Sequence, residues 1–271
     1  MKNRLKKALS NLGLIDKARL YYNSAKSLST RVLTDELKFR KNGLPDGFPS
    51  PPPNLIFLII ALRWSHIYYY SGKQIYEGII QLLQKNRITL QSLNKILDFG
   101  CGCGRIIRHF HSNDKSVQLY GTDYNRTLVE WCSQNLTFGN FTVNMLNPPL
   151  EFAQETFNFI YARSVFTHMS FELQKVWIEE FKRLLKSGGY VYITTHGEPL
   201  FTNLNDNEIS MIKSEGFLVI NDEIEGDNKC TTYQTKEFFI KNLSDGFELT
   251  DFIPGRPGSA SPQDIYLLKK I

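Results

Sequence analysis

Residues 96–110, ILDFGCGCGRIIRHF, combine an acidic side chain and three glycines in a spacing suited to holding a ligand. The glycines are Gly100, Gly102 and Gly104. Glycine lets the backbone adopt a positive φ and approach a ligand with no Cβ in the way. Asp98 follows an apolar pair, and apolar residues at helical spacing follow the glycines. The segment predicts a buried strand, a glycine turn and a helix N-terminus, whose free N–H groups and positive dipole end favour a nucleotide-like ligand.

The spacing of the glycines separates two kinds of nucleotide-binding loop. A dinucleotide fingerprint, G-x-G-x-x-G, needs a third glycine at the position where Arg105 stands. The chain instead reads D-x-G-x-G-x-G from Asp98 to Gly104. This pattern resembles motif I of the class I S-adenosylmethionine (SAM) dependent methyltransferases. A nicotinamide-dependent oxidoreductase and a purely structural turn are the alternatives.

A second acidic residue follows the glycines at a spacing that matters for ribose binding. Residues 118–122 predict a strand that ends in Asp123, 21 residues after Gly102. An acid about 20 positions beyond the glycine loop reaches the tip of the neighbouring strand, where it accepts hydrogen bonds from ribose hydroxyls. Asp123 matches the motif II acid of the same family. Its alternative role is to cap a helix that begins near Asn125.

The later elements follow the order found in this family. Residues 141–143, 157–162 and 190–195 predict strands three to five. Ser170 caps a predicted helix that runs to Lys186 and is stopped by two glycines. The stripe expected to be buried on this helix consists of Val176, Trp177, Phe181, Leu184 and Leu185.

The last two predicted strands bear on the fold class. Residues 247–253 and 264–270 are joined by fewer residues than a parallel crossover needs, so this pair must be antiparallel. Class I methyltransferases carry such a reversed last strand. The resemblance therefore implies an α/β, Rossmann-like seven-stranded sheet with an antiparallel last strand, helices on both faces and an N-terminal helical extension.

The resemblance also implies roles for individual residues. The expected cofactor-binding residues are Asp98, Gly100, Gly102, Gly104, Asp123, Asn144, Met145 and Arg163. Among them, Asn144 and Met145 flank the adenine and Arg163 reaches the methionine carboxylate. His168 and His196 follow strands four and five, at the edge of the sheet where the site forms. Either histidine, with a pKa suited to a base, is a candidate for removing a proton from the acceptor.

The N-terminal quarter of the chain differs from the rest in charge. Residues 1–41 have a net charge of +8, whereas the whole chain has +5. Leu5, Leu9 and Leu12 stand at helical spacing in this basic segment. The predicted amphipathic helix either contacts an anionic membrane, a nucleic acid or an acidic substrate, or lies over the core facing water. Residues 43–53 predict a Pro/Gly linker, and residues 74–90 predict a helix that leads to the first strand. We assign residues 1–75 to a basic helical extension, linker and lid, and 76–271 to the methyltransferase domain.

The remaining sequence features bear on membrane insertion, on the cellular compartment and on the class of acceptor. The longest apolar stretch has eight residues, too few to span a bilayer, and no signal peptide is visible. The four cysteines lack C-x-x-C spacing, so we expect reduced thiols, no metal site and a cytoplasmic location. Pro51–Leu55, Ser71-Gly72 and Gln263–Tyr266 resemble landmarks of members that modify small molecules or glycans.

We therefore expect SAM-dependent O- or N-methylation of a small-molecule or glycan acceptor. We expect no nucleic-acid partner, because no nucleic-acid module is visible. A catalytically silent SAM-binding module is the alternative, since a fold does not by itself specify a function.

Overall fold

The structure, a computed structural model, describes residues 30–271 except 225, 227, 228 and 257–261. The helix expected around Leu5, Leu9 and Leu12 lies outside the described residues. The chain divides into two units by its internal contacts, one up to Gly72 and one from Lys73 to Ile271.

The described part of the first unit is helical. Its helices are α1 (Thr30–Asn42), α2 (Pro53–Ile60) and α3 (Ser65–Lys85), the last of which continues into the second unit. The segment between α1 and α2 is a loop, as its prolines predict, and Pro53 begins α2 because a first-turn residue needs no intrahelical N–H donor. The buried Glu36 accepts hydrogen bonds from Arg40 Nε at 2.8 Å and His66 N at 3.1 Å, which ties α1 to the start of α3.

The helix predicted at residues 74–90 is displaced along the chain. It begins at Ser65 and ends at Lys85. The early start includes Tyr68, which is fully buried within the first unit. The early end precedes Arg87, whose φ of 60° is incompatible with a continuing α-helix.

The second unit contains nine strands and five further α-helices among its described residues. The strands are β1 (Lys95–Phe99), β2 (Gln118–Asp123), β3 (Gly139–Val143), β4 (Phe157–Ala162), β5 (Leu185–Thr195), β6 (Phe217–Ile220), β7 (Thr231–Gln234), β8 (Phe247–Ile253) and β9 (Asp264–Lys270). The helices are α4 (Ile107–Asn113), α5 (Arg126–Asn135), α6 (Phe171–Leu184), α7 (Asp206–Glu215) and α8 (Lys236–Leu243).

The seven-stranded sheet confirms the predicted topology. Its order is β3-β2-β1-β4-β5-β9-β8, with β1 to β5 parallel and β9 antiparallel to both β5 and β8. Helices cover both faces: Leu97 belongs to a core with Trp177 of α6, and its neighbour Ile96 to a core with Phe110 of α4. Alternate strand residues point to opposite faces, so β1 serves both cores.

The boundary between α6 and β5 differs from the prediction. Ser170 caps α6 as expected, with its Oγ accepting from Leu173 N at 3.3 Å. The helix ends at Leu184 rather than Lys186, because Leu185 already pairs with Phe157 in the β4–β5 ladder. The expected burial of Val176 is also wrong. It is 41% exposed, since it lies about 100° around the helix from the buried Trp177.

Candidate cofactor and catalytic site

The glycine turn lies at the carboxyl end of β1. Gly100, Gly102 and Gly104 have φ values of 76°, 56° and 77°, the left-handed conformation that the sequence predicts. The turn is fastened to β2, because Gly100 N and Cys101 N both donate to Thr122 O, at 2.8 and 2.9 Å. The helix behind it begins only at Ile107 and has seven residues.

Packing explains one of these glycines without reference to a ligand. A Cβ on Gly100 would collide with the side chain of Val165. The glycine at position 100 thus permits both the tight turn and the close packing of the segment after β4. The sequence motif predicts the glycine, but this protein contact is visible only in the structure.

Asp123 connects the tip of β2 to the glycine turn. Its Oδ2 accepts from Gly102 N at 2.8 Å, and its Oδ1 accepts from Asn125 N at 2.8 Å, just before α5. Burial raises the pKa of Asp123, and the two backbone N–H donors oppose that rise. A carboxylate can accept about four hydrogen bonds, so lone pairs remain for ribose hydroxyls.

Asp98 is a buried acid close to the Tyr161 hydroxyl. It is 2% exposed, and its Oδ2 has no hydrogen bond of good geometry among the described residues. Burial raises the pKa of Asp98 to about 8, and the nearby Tyr161 hydroxyl opposes that rise. The Tyr161 hydroxyl is itself fully buried and lacks a hydrogen bond of good geometry.

Several orphaned polar atoms surround this part of the sheet edge. Thr122 Oγ1 and Asn144 Oδ1 are buried without a partner among the described residues, whereas Asp98 and Tyr161 interact with each other. Buried polar groups in folded proteins are nearly always hydrogen-bonded. The donors and acceptors at the ends of β1, β2, β3 and β4 therefore fit a polar, nucleoside-containing cofactor such as SAM.

The other expected cofactor residues have different surroundings. Asn144 N donates to Asp123 O at 3.1 Å, and Met145 is 77% exposed at the same edge. Arg163, directly after β4, donates to Ser164 Oγ at 2.6 Å and Thr194 Oγ1 at 3.3 Å. Burial lowers the pKa of Arg163. The structure thus places Asn144 beside Asp123, and it directs Arg163 towards β5.

The two histidines lie close together at the ends of β4 and β5. Their ring centroids are 6.5 Å apart. His168 Nδ1 is 2.7 Å from Cys230 O, and His196 Nδ1 is 3.1 Å from Thr232 O. A carbonyl only accepts, so each Nδ1 carries the hydrogen.

The expectation that both histidines have a pKa suited to a base is wrong for His196. Burial, and next the neighbouring His168, lower the pKa of His196 to about 3. This ring is neutral at pH 7 and binds a proton weakly. His168 is the better candidate of the two for accepting a proton.

The carbonyls that hold the histidines come from a hairpin that sequence analysis missed. β6 and β7 form a separate antiparallel pair, and β7 follows Cys230 and contains Thr232. The apolar run FLVI and the run TTYQ are the available signals, since both are rich in strand-forming residues.

Similarity to known proteins agrees with this geometry. Residues 70–225 match a family model described as a methyltransferase domain. The sheet order and glycine turn define the class I SAM-dependent methyltransferase fold. The chain belongs to this methyltransferase domain family, whose cofactor is SAM.

Two relatives match this chain at low sequence identity. Phosphoethanolamine N-methyltransferase of Plasmodium falciparum is 26% identical over 183 residues, 66% of this chain and 68% of the relative. An uncharacterized protein of Rickettsia prowazekii is 25% identical over 159 residues, 57% of this chain and 60% of the relative. The chain thus spans less than two thirds of the Rickettsia protein.

Solved structures share the fold. A SAM-dependent methyltransferase from Methanosarcina mazei superposes with a TM-score of 0.51 at 22% identity, covering 65% of this chain and 92% of that one. A protein from Pyrococcus horikoshii gives a TM-score of 0.52 at 14% identity, covering 76% and 95%. Among the described residues, no helix is long and apolar enough to cross a bilayer.

Proposed function

We propose that this methyltransferase transfers the SAM methyl group to an oxygen or nitrogen of a small-molecule or glycan acceptor. The observation that carries the proposal is the group of buried, unpartnered polar atoms around the glycine turn, which suits a polar cofactor. The name of the Plasmodium relative, which specifies phosphoethanolamine, supports a small acceptor.

The proposed cofactor contacts follow from the placement of each residue. The backbone of Gly100, Gly102 and Gly104 approaches SAM, Asp98 and Asp123 bind its polar groups, and Asn144 and Met145 border its adenine. Arg163 stays a proposed contact of the methionine carboxylate. That role requires its side chain to leave Thr194, to which it donates at 3.3 Å.

The proposed chemistry needs little beyond alignment and proton removal. Bound SAM supplies an electrophilic methyl group on a sulfonium with a good leaving group. The chain holds the acceptor in line with that methyl. His168, with Nδ1 held 2.7 Å from Cys230 O, is the proposed base that takes the acceptor's proton. His196 lies beside it, with the two ring centroids 6.5 Å apart.

We also propose a domain division and a cellular compartment for this protein. Residues 1–75 form an extension distinct from the methyltransferase domain at 76–271, and the protein acts in the cytoplasm. The four cysteines are buried and form no disulfide, which supports a reducing compartment.

Calorimetric titration with S-adenosylhomocysteine, NAD and NADP in parallel tests the cofactor assignment. Of the three ligands, we expect only S-adenosylhomocysteine to bind, with micromolar affinity. When small alcohols, amines and sugars are then screened as acceptors, we expect SAM to be converted to S-adenosylhomocysteine with one of them. Binding of NAD instead would overturn the assignment. Binding of S-adenosylhomocysteine without turnover on any acceptor would favour a silent module.

A further inference from the structure

A cavity of about 490 Å³ opens at the carboxyl edge of the sheet, beyond β5. Its lining residues come from the segment after β5, the first turn of α8, the end of β8 and the start of β9. They are Glu198, Pro199, Lys236, Glu237, Phe252, Pro254 and Asp264. A cavity of this size accommodates a small organic ligand.

Strand directions place this cavity on the same edge as the glycine turn. β9 runs opposite to β5, so its first residue, Asp264, pairs with Thr195 at the end of β5. Strands β4 and β5 separate β9 from β1. At one strand spacing per step, Asp264 and the end of β1 are about 14 Å apart across the sheet. A small acceptor can bridge that span from an anchor in the cavity.

The buried wall of the cavity is a carboxylate that is only half satisfied. Asp264 is 4% exposed, and its Oδ1 accepts from Gly255 N at 2.7 Å. Its Oδ2 has no hydrogen-bond donor among the described residues and lies against Gly197, where any Cβ would collide with it. Glycine at position 197 thus makes room for this oxygen.

Two buried hydroxyls adjoin Asp264 on the same face of the sheet. Thr195 lies directly opposite it and Tyr266 two residues further along β9. Both residues are at most 1% exposed. A hydrogen bond with Thr195 opposes the rise that burial causes in the pKa of Tyr266, so these two hydroxyls are partners of each other. Asp264 is therefore the buried polar group that a ligand in the cavity can meet.

The charged residues around the cavity determine which sign of charge a ligand there should carry. Glu198, Glu237 and Asp264 contribute three carboxylates, against one ammonium from Lys236. Lys236 Nζ lies 4.5 Å from the centroid of the Phe252 ring, so one cation of the chain already lies against an aromatic face in the cavity lining. The excess negative charge favours a second cation and disfavours an anion.

We infer that this cavity binds a positively charged group, an amine or other organic cation, of the methyl acceptor. Asp264 and the two glutamates pair with the cation, and Phe252 with the two prolines contacts its apolar part. The inference rests on the proposed function, because it treats the cavity as the acceptor's anchor.

Three shape-matched probes test the inference on the full chain saturated with S-adenosylhomocysteine. They are 3-phenylpropylamine, 3-phenylpropanol and 3-phenylpropanoate, which differ only in the charge of one end. We expect the amine to bind at least tenfold more tightly than the alcohol, and the propanoate more weakly than either. Equal affinities, or preference for the propanoate, would overturn the inference.

Variants of exposed or half-buried charged residues make the test independent of folding. The double variant Glu198→Gln/Glu237→Gln should reduce the preference for the amine to less than threefold. Lys236→Gln should increase affinity for the amine, because it removes a competing cation; a decrease would overturn the inference. Glu248→Gln, which removes an exposed carboxylate of β8 outside the cavity, should change nothing.

The cofactor titration separates failure of this inference from failure of the proposed function. If S-adenosylhomocysteine binds and the amine is not preferred, only the cationic anchor is wrong. If S-adenosylhomocysteine does not bind the unmodified chain, the proposed function fails first, and the cavity loses its role as an acceptor site.

Discussion

The carboxylate of Asp123 accepts a hydrogen bond from the backbone N–H of Gly102, with a donor–acceptor distance of 2.8 Å. The residue expected to bind ribose is thus also the residue that holds the centre of the glycine turn. Its other oxygen fastens the start of α5 through Asn125 N. One side chain therefore positions the turn, the helix behind β2 and the proposed ribose contact.

Replacing Asp123 with alanine removes all three contacts. We expect S-adenosylhomocysteine binding to weaken by about 1.5–3 kcal/mol, the range for a hydrogen bond to a charged group. Calorimetry measures the change. Asp245→Ala, at a side chain that is 96% exposed, is the control and should bind normally. Normal affinity in the Asp123 variant would exclude a ribose contact.

Gly102→Val tests the backbone of the turn. The φ of Gly102 is 56°, which a β-branched residue rarely adopts. We expect at least a 100-fold loss of S-adenosylhomocysteine affinity, with the circular dichroism spectrum retained. Gly78→Val is the matched control, because a Cβ at Gly78 in α3 meets open space. Equal affinity in both variants would remove the turn from the binding site.

Asp98→Asn tests the buried acid through the pH dependence of stability. The pKa of Asp98 is about 8 in the folded state against 3.8 ordinarily. A carboxyl with a raised pKa stabilises the fold fully below its unfolded pKa, and this contribution is lost as pH rises from about 4 to 8. The amide stays neutral, so the variant should gain stability over the unmodified protein across that range.

Urea unfolding of the cofactor-free protein at pH 4, 6 and 8 measures this gain. We expect little difference at pH 4 and a difference on the order of a few kcal/mol at pH 8. Asp245→Asn is the exposed control and should show no trend. A pH-independent difference for Asp98→Asn would mean that the carboxyl is ionised in the folded state.

His168→Asn distinguishes the two histidines. If His168 takes the acceptor's proton, kcat should fall by about 10²- to 10⁴-fold while S-adenosylhomocysteine binds normally. His196→Asn should cost less than His168→Asn and leave the acid limb of the pH–rate profile in place, because a pKa of about 3 keeps His196 neutral. Rates are measured with an acceptor found in the screen. Full activity in His168→Asn would exclude it as the base.

The local signals in the sequence predict most of the sheet. Apolar runs followed by glycine, aspartate or a capping serine mark β1, β2, β4 and the start of α6, where local chemistry and tertiary packing agree. The α6–β5 boundary could not be predicted, because Leu185 leaves the helix to pair with Phe157, 28 positions earlier in the chain. Only the sheet partner decides that choice.

The features of the candidate site also divide into those that the sequence predicts and those that it does not. The glycine spacing and Asp123 are readable from the chain, since motif and strand end coincide. The low pKa of His196 depends on burial and on its neighbour His168, and the β6–β7 carbonyls that hold both rings arrive from more than 30 residues away. Long-range contacts of this kind leave no local pattern.

The position of β9 between β5 and β8 has a consequence for synthesis of the protein. Residues 264–270 are translated after both of their partners, yet they occupy the interior of the sheet. Until the ribosome has released this segment, β5 and β8 each present an unpaired strand edge, a surface prone to intermolecular pairing. Domains otherwise tend to fold from the N-terminus as the chain emerges. Completion of this sheet is therefore delayed until translation has passed Lys270.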